Sequence, residues 1–72
     1  MEKPDVAQSD DIEFLRLPRV IEKVGLGRAE IYQRVAAGSF PKPRKYPGTN
    51  RSFWVGSEIT NWQRAVLGQA TA

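Results

Sequence analysis

Cysteine and histidine are both absent from the 72 residues of this chain. Without cysteine there is no disulfide to staple a small core, no thiolate nucleophile and no cysteine metal site, and the redox compartment is left open. Without histidine the commonest general base and the commonest nitrogen metal ligand are missing too. Long apolar runs are also lacking. No stretch approaches the roughly 18 consecutive apolar residues of a membrane span, and the N-terminal MEKPDVAQSDDIEF has no apolar run of a signal peptide. A soluble, unexported, cytoplasmic protein is the expectation. The acidic pair Asp10-Asp11 has no second ligand set nearby, so neither a metal nor acid-base chemistry is expected there. So short a chain forms one domain at most, with one modest core and no room for a substrate domain. An enzyme is not expected, nor a cofactor, and binding is the function class that remains.

What is present begins with LPRVIEKVGLGRAEIYQRV, from Leu17 to Val35. Leu17, Val20, Ile21 and Val24 fall at i, i+3, i+4 and i+7, one face of a helix, with Pro18 suited to its first turn. Ile31 and Val35, one turn apart, supply a facing stripe on a second helix. Gly25-Leu26-Gly27 between them allows the sharp change of direction of a helix-turn-helix. The second helix is predicted to open at Gly27 as N-cap, with Glu30 in its first turn complementing the exposed amides, and to stop at Gly38.

Phe40-Pro41-Lys42-Pro43 cannot be helical, because two prolines remove donors and force extended geometry. Arg44-Lys45-Tyr46 and Arg51-Ser52-Phe53-Trp54-Val55 then flank Pro47-Gly48-Thr49-Asn50, the pattern of a hairpin. Ile59, Trp62 and Val66 at i, i+3 and i+7 predict a last amphipathic helix from about Ser57 to Leu67, ended by Gly68, with that face turned inward. Phe14-Leu15-Arg16-Leu17 reads as a short extended segment leading into the first helix. The expected organisation is an acidic flexible tail over residues 1–12, a domain over residues 13–68 and a short tail over residues 69–72. The expected fold is mainly α with a small β-hairpin, a winged helix-turn-helix. Phe53, Val55, Ile59 and Trp62 are the expected main suppliers of the core. Because Phe53 and Trp54 point to opposite faces of a strand, one of them is expected to be partly exposed.

Charge is segregated along the chain. Met1 to Leu15 carries −4, and Arg16 onward carries +7, together the overall +3. A dense cationic field on so small a body favours a polyanion, nucleic acid first and anionic membrane second. With Ile31 and Val35 inward, Ala29, Gln33 and Ala36 face outward and Tyr32 lies on the flank. Gln33 can bridge an adenine edge, Arg28 near the helix start can reach a phosphate or a guanine, and Arg34 adds charge to the same helix. Lys42, Arg44, Lys45 and Arg51 on or beside the hairpin form the densest positive patch, with no acid between Ser39 and Ser57. Asn50 and Arg51 at its tip would be first to reach a backbone or minor groove.

Three pieces in order carry a resemblance: Gly25-Leu26-Gly27-Arg28 followed by Ile31-Tyr32, then Gly38-Ser39-Phe40-Pro41-Lys42-Pro43, then Trp54 with Glu58-Ile59 and Trp62. From Leu15 to Leu67 the chain closely resembles the AlpA-type prophage regulators, which are similar to small phage excisionases and to the DNA-binding part of MerR-like proteins. The resemblance implies a bacterial or prophage protein that binds double-stranded DNA, with the second helix in the major groove and the hairpin on the backbone. It implies transcription regulation, or alternatively an architectural excision factor that bends DNA and recruits an integrase. RNA polymerase is the other protein partner such a role implies. An anti-repressor-like protein-interaction module is the alternative of another class. Where such sequences usually carry serine or threonine near the start of the second helix, this chain has Gly27, Ala29 and Glu30. Fewer polar contacts are expected there, and Glu30 repels phosphate unless it meets a cytosine amine. No dimerisation helix follows Leu67, so a monomer in solution, with adjacent copies on DNA, is expected.

Overall fold

A computed structural model describes residues 12–70. The acidic tail expected at residues 1–12 lies outside the described residues except for Ile12. The elements run β1 (Phe14–Leu15), α1 (Leu17–Val24), α2 (Arg28–Ala37), β2 (Arg44–Lys45), β3 (Ser52–Val55) and α3 (Gly56–Gln69). Three helices and a small antiparallel sheet are therefore joined by short connections, as a small helix-turn-helix domain requires.

The first two helices start and stop where their local chemistry predicts. Pro18 occupies the first turn of α1, where its missing N–H costs nothing. The Gly25 N–H bonds the Ile21 carbonyl at 2.9 Å and closes α1 with a left-handed residue. Gly27 caps α2, and the helix ends in a Schellman motif: the Gly38 N–H bonds Val35 O at 3.1 Å and the Ser39 N–H bonds Arg34 O at 2.9 Å. Gly38 takes φ 81°, a conformation that side chains with a Cβ rarely adopt.

The segment expected only to lead into α1 is a strand. β1 pairs antiparallel with β3, and β3 pairs with β2, so the sheet has the order β1-β3-β2 and not the hairpin alone. The registers are Phe14 opposite Val55, Leu15 opposite Trp54, Arg44 opposite Phe53 and Lys45 opposite Ser52. Directly opposed residues of an antiparallel pair share a face. One face thus carries Leu15, Trp54, Ser52 and Lys45, and the other carries Phe14, Val55, Phe53 and Arg44. Where β3 runs into α3, the Gly56 N–H bonds Glu13 O at 2.7 Å. A Cβ at Gly56 would lie 3.0 Å from the Cβ of Glu13, so this close approach of β1 depends on glycine.

α3 begins at Gly56 and runs through Gly68 to Gln69, longer than periodicity predicts. A glycine stops a helix by taking positive φ, and among the described residues only Gly25, Gly38 and Gly48 do so. Gly68 stays in the helix, and the Ala70 N–H still bonds Val66 O at 2.7 Å.

Leu15, Val20, Ile31, Phe40, Trp54 and Ile59 form the core, with Leu17, Ile21, Val24, Leu26, Val35 and Trp62 packed against it. Two expectations are corrected here. Phe53 and Trp54 are both buried, at 8% and 0% exposed, although they face opposite ways. Trp54 enters the helical core. Phe53 is covered on the outer face by Phe14 and Tyr46, whose ring centroids lie 4.5 and 4.4 Å away. Val55 is only half-buried and Val66 is 37% exposed, because the inward stripe of α3 outruns the body it packs on after Trp62. Phe53 is buried as expected, on the outer face, while Phe40 and Leu15 supply the central cluster that Val55 was expected to join.

Candidate nucleic-acid interface

The outward side of α2 follows from which residues face in. Ile31 is fully buried and Val35 half-buried, so the hundred-degree step per residue turns Ala29, Gln33, Ala36 and Ala37 outward with Tyr32 on the flank, and Arg28 is exposed at the first position of the helix. Tyr32 is 40% exposed, and its ring centroid lies 6.1 Å from that of Trp54 at an interplanar angle of 58°. The flank of the helix is therefore seated on the sheet through an aromatic contact.

Arg34 does not join that face. Its Nη2 and Nε donate to Glu30 Oε2 at 3.0 and 3.3 Å, an i,i+4 pair along the helix. The same side chain lines a groove with Lys23, Val24, Leu26 and Trp62, on the side of α2 that turns toward α3. Glu30 is thereby matched by a cation of its own helix. The spacing of Glu30 and Arg34 was the signal from which this pair could have been read.

The cations of the hairpin region are divided by the alternation of its strands. Arg44 and Lys45 are neighbours in sequence but lie on opposite faces of the sheet. Lys45 shares its face with Trp54, the residue on which Tyr32 rests. Arg44 stands on the face of Phe53, and its Nη2 donates to Glu58 Oε2 at 2.6 Å. That acid lies in the first turn of α3, just beyond the acid-free interval from Ser39 to Ser57. Lys42 and Arg44 line one shallow depression with Pro41, Glu58 and Asn61. The four positive side chains thus do not form one patch, and only Arg44 has an acidic partner among the described residues.

The tip is ordered by its own hydrogen bonds. Tyr46 O accepts from the Thr49 N–H at 3.1 Å and from Thr49 Oγ1 at 3.0 Å, closing a turn over Pro47 and Gly48. Thr49 Oγ1 also accepts from the Arg51 N–H at 3.1 Å, and the Tyr46 N–H bonds Arg51 O at 3.1 Å. Asn50 and Arg51 are exposed at this tip, with the backbone of Arg51 held at both groups. Thr49 is the residue that sequence reasoning passed over, although a threonine beside a Pro-Gly turn signals such side-chain to backbone bonding.

Trp54 is fully buried and presents no face on which a base could stack, whereas Trp62 is half-buried. Their Nε1–H groups donate to Pro41 O and Ser39 O, both at 2.9 Å, and so hold the Phe40 to Pro43 segment against β3 and α3. Among the described residues no group of acids could hold a metal ion, and no helix is long and apolar enough to cross a membrane.

Residues 13–67 match the model of a family described as the prophage CP4-57 regulatory protein (AlpA). The chain is 39% identical over 62 residues to the uncharacterized protein ORF88 of Enterobacteria phage P4, an alignment spanning 86% of this chain and 66% of the phage protein. It is also 39% identical over 64 residues to the DNA-binding transcriptional activator AlpA of Escherichia coli strain K12, spanning 78% of this chain and 90% of that activator. No solved structure gives a significant match.

Proposed function

This chain belongs to the AlpA family of prophage regulatory proteins, and on that premise we propose that it is a sequence-specific regulator of transcription that binds double-stranded DNA. The binding unit is residues 13–68, acting as a winged helix-turn-helix. α2 enters the major groove with Arg28, Ala29, Tyr32 and Gln33, and the β2–β3 hairpin follows the sugar-phosphate backbone as the wing. The observation that carries this reading is the shared core beneath the two elements. Ile31 of α2 and Trp54 of β3 are both fully buried in one cluster. A groove-reading helix and a basic ribbon are thereby held in one fixed relation, so that both can meet a single duplex.

The phosphate contacts divide by how each cation is engaged. Lys42, Lys45, Arg51 and Arg28 supply the counterion-releasing charge. Arg44 supplies less, because Glu58 is already paired with it, and Arg34 supplies less too, because Glu30 is paired with it along the helix. Asn50 accompanies Arg51 at the tip.

Fluorescence anisotropy with a labelled duplex over a salt series tests the reading. Arg51→Ala should weaken binding to all sequences alike and lower the slope of log affinity against log salt by about one. Arg44→Ala should lower it by less. A wild-type slope in both Arg51→Ala and Lys45→Ala would remove the wing from the interface, and no binding to any duplex at low salt would remove the function.

A further inference from the structure

We propose that the exposed face of α2 reads a short run of A·T base pairs, with Gln33 on an adenine edge and the methyl-bearing side chains Ala29 and Ala36 beside thymine methyl groups. This rests on the reading that α2 lies in the major groove and names the base pairs it selects there.

The charged residues of α2 are Arg28, Glu30 and Arg34. Glu30 and Arg34 are bonded to each other through two donors at the edge of the face, where Arg34 borders the groove beside α3. Beyond Arg28 at its first position, the outward face therefore offers one amide, one phenol and the methyl groups of Ala29, Ala36 and Ala37. Guanine presents two acceptors in the major groove and is best met by arginine or lysine. Cytosine presents a donor and is best met by an acid. Neither partner is available at the centre of this face. Adenine presents a donor beside an acceptor, which the amide of Gln33 complements, and thymine presents a methyl group that small apolar side chains accommodate.

The spacing is consistent with a short run. Ala29, Gln33 and Ala36 lie at i, i+4 and i+7 on one line, about 10 Å along the helix axis. At roughly 3.4 Å for each nucleotide step, that line covers about three base pairs. With alanine at two of the three positions on the line, the backbone of α2 can approach the groove floor on either side of Gln33. Tyr32, seated on Trp54, borders the line and limits where the helix can settle.

Selection of the full-length protein on random duplexes, followed by modified versions of the winning site, tests the inference. The expected site has an A·T core. Replacing its thymines with deoxyuridine keeps pairing but deletes the methyl groups, and should weaken binding about fourfold for each contacted methyl. Replacing the contacted adenine with 7-deazaadenine deletes its N7 acceptor and should weaken binding about tenfold. Gln33→Ala, at an exposed position that leaves the core untouched, should lose sensitivity to 7-deazaadenine and keep sensitivity to deoxyuridine. A G·C core would overturn the inference, as would modified sites that bind like the parent. Salt-sensitive retention of the pool with no enriched site would overturn it too, while leaving DNA binding in place. No retention on any duplex at low salt would remove the regulator reading and this inference together.

Discussion

The indole of Trp54 is fully enclosed, its N–H rests on the Pro41 carbonyl at 2.9 Å, and the Tyr32 ring lies against it. Trp54→Phe keeps an aromatic ring in place but leaves that carbonyl without its donor, which should cost about 1–3 kcal/mol in urea denaturation. The strap from Phe40 to Pro43 should loosen with it. Two glycines of α3 separate the reasons for carrying one. At Gly56 an added methyl meets Glu13 at 3.0 Å, so Gly56→Ala should destabilise by about 1–3 kcal/mol. At Gly68 nothing lies within 4 Å, so Gly68→Ala should stabilise by about 0.5–1 kcal/mol through helix propensity. Thermal melts of the two variants should move in opposite directions. Sequence alone distinguishes these two glycines poorly, since each sits at the border of a periodic segment. The contact with Glu13 that separates them comes from 43 residues away in the chain.

At the scale of the elements, α1 and α2 were legible and the sheet was legible only in part. Helix limits follow from chemistry within one turn: a proline at the start, a glycine able to turn left-handed at the end, an apolar stripe between them. The hairpin was visible for the same reason, through Pro47 and Gly48. The pairing of β1 with β3 was not, because two residues of weak alternation carry no local signal and their register is set by what they bury. The outer aromatic cluster of Phe14, Tyr46 and Phe53 depends on that pairing. So does the division of the cations between the two faces of the sheet. Glu58 supplies a test of the second point. If its carboxylate holds Arg44 away from phosphate, Glu58→Gln should tighten binding to every duplex and steepen the salt slope by at most about one unit. Because the pair is largely exposed, stability should change by no more than about 1 kcal/mol. An unchanged slope would mean that Arg44 lies off the DNA path in either state.

At the scale of the whole molecule, one core connects every helix to the central strand. Leu15, Val20, Ile31, Phe40, Trp54 and Ile59 come from β1, α1, α2, the proline strap, β3 and α3. Among the described residues no helix has a second core to fall back on, and a domain this small has little area in reserve. Urea unfolding followed by tryptophan fluorescence and by far-ultraviolet circular dichroism should therefore give coincident transitions. A separate early phase in fluorescence would show the sheet and strap opening before the helices. Such cooperativity also serves the proposed function, since α2 and the wing can keep register on a duplex only while the core between them is closed.

The helix-turn-helix, the hairpin, the exclusion of cysteine and histidine chemistry, and the family can all be read along the chain, because they rest on local backbone preference and residue type. Which side chains face the same way, and which charges are already matched, emerges only once the elements have packed together. Arg44 meets Glu58 across 14 positions, Phe53 is covered from two flanking strands, and Lys45 is parted from Arg44 by a strand's alternation. Partners such as Glu58 and Phe14 are brought near by burial of an apolar face that belongs to the whole fold, and no local preference along the chain encodes that distance.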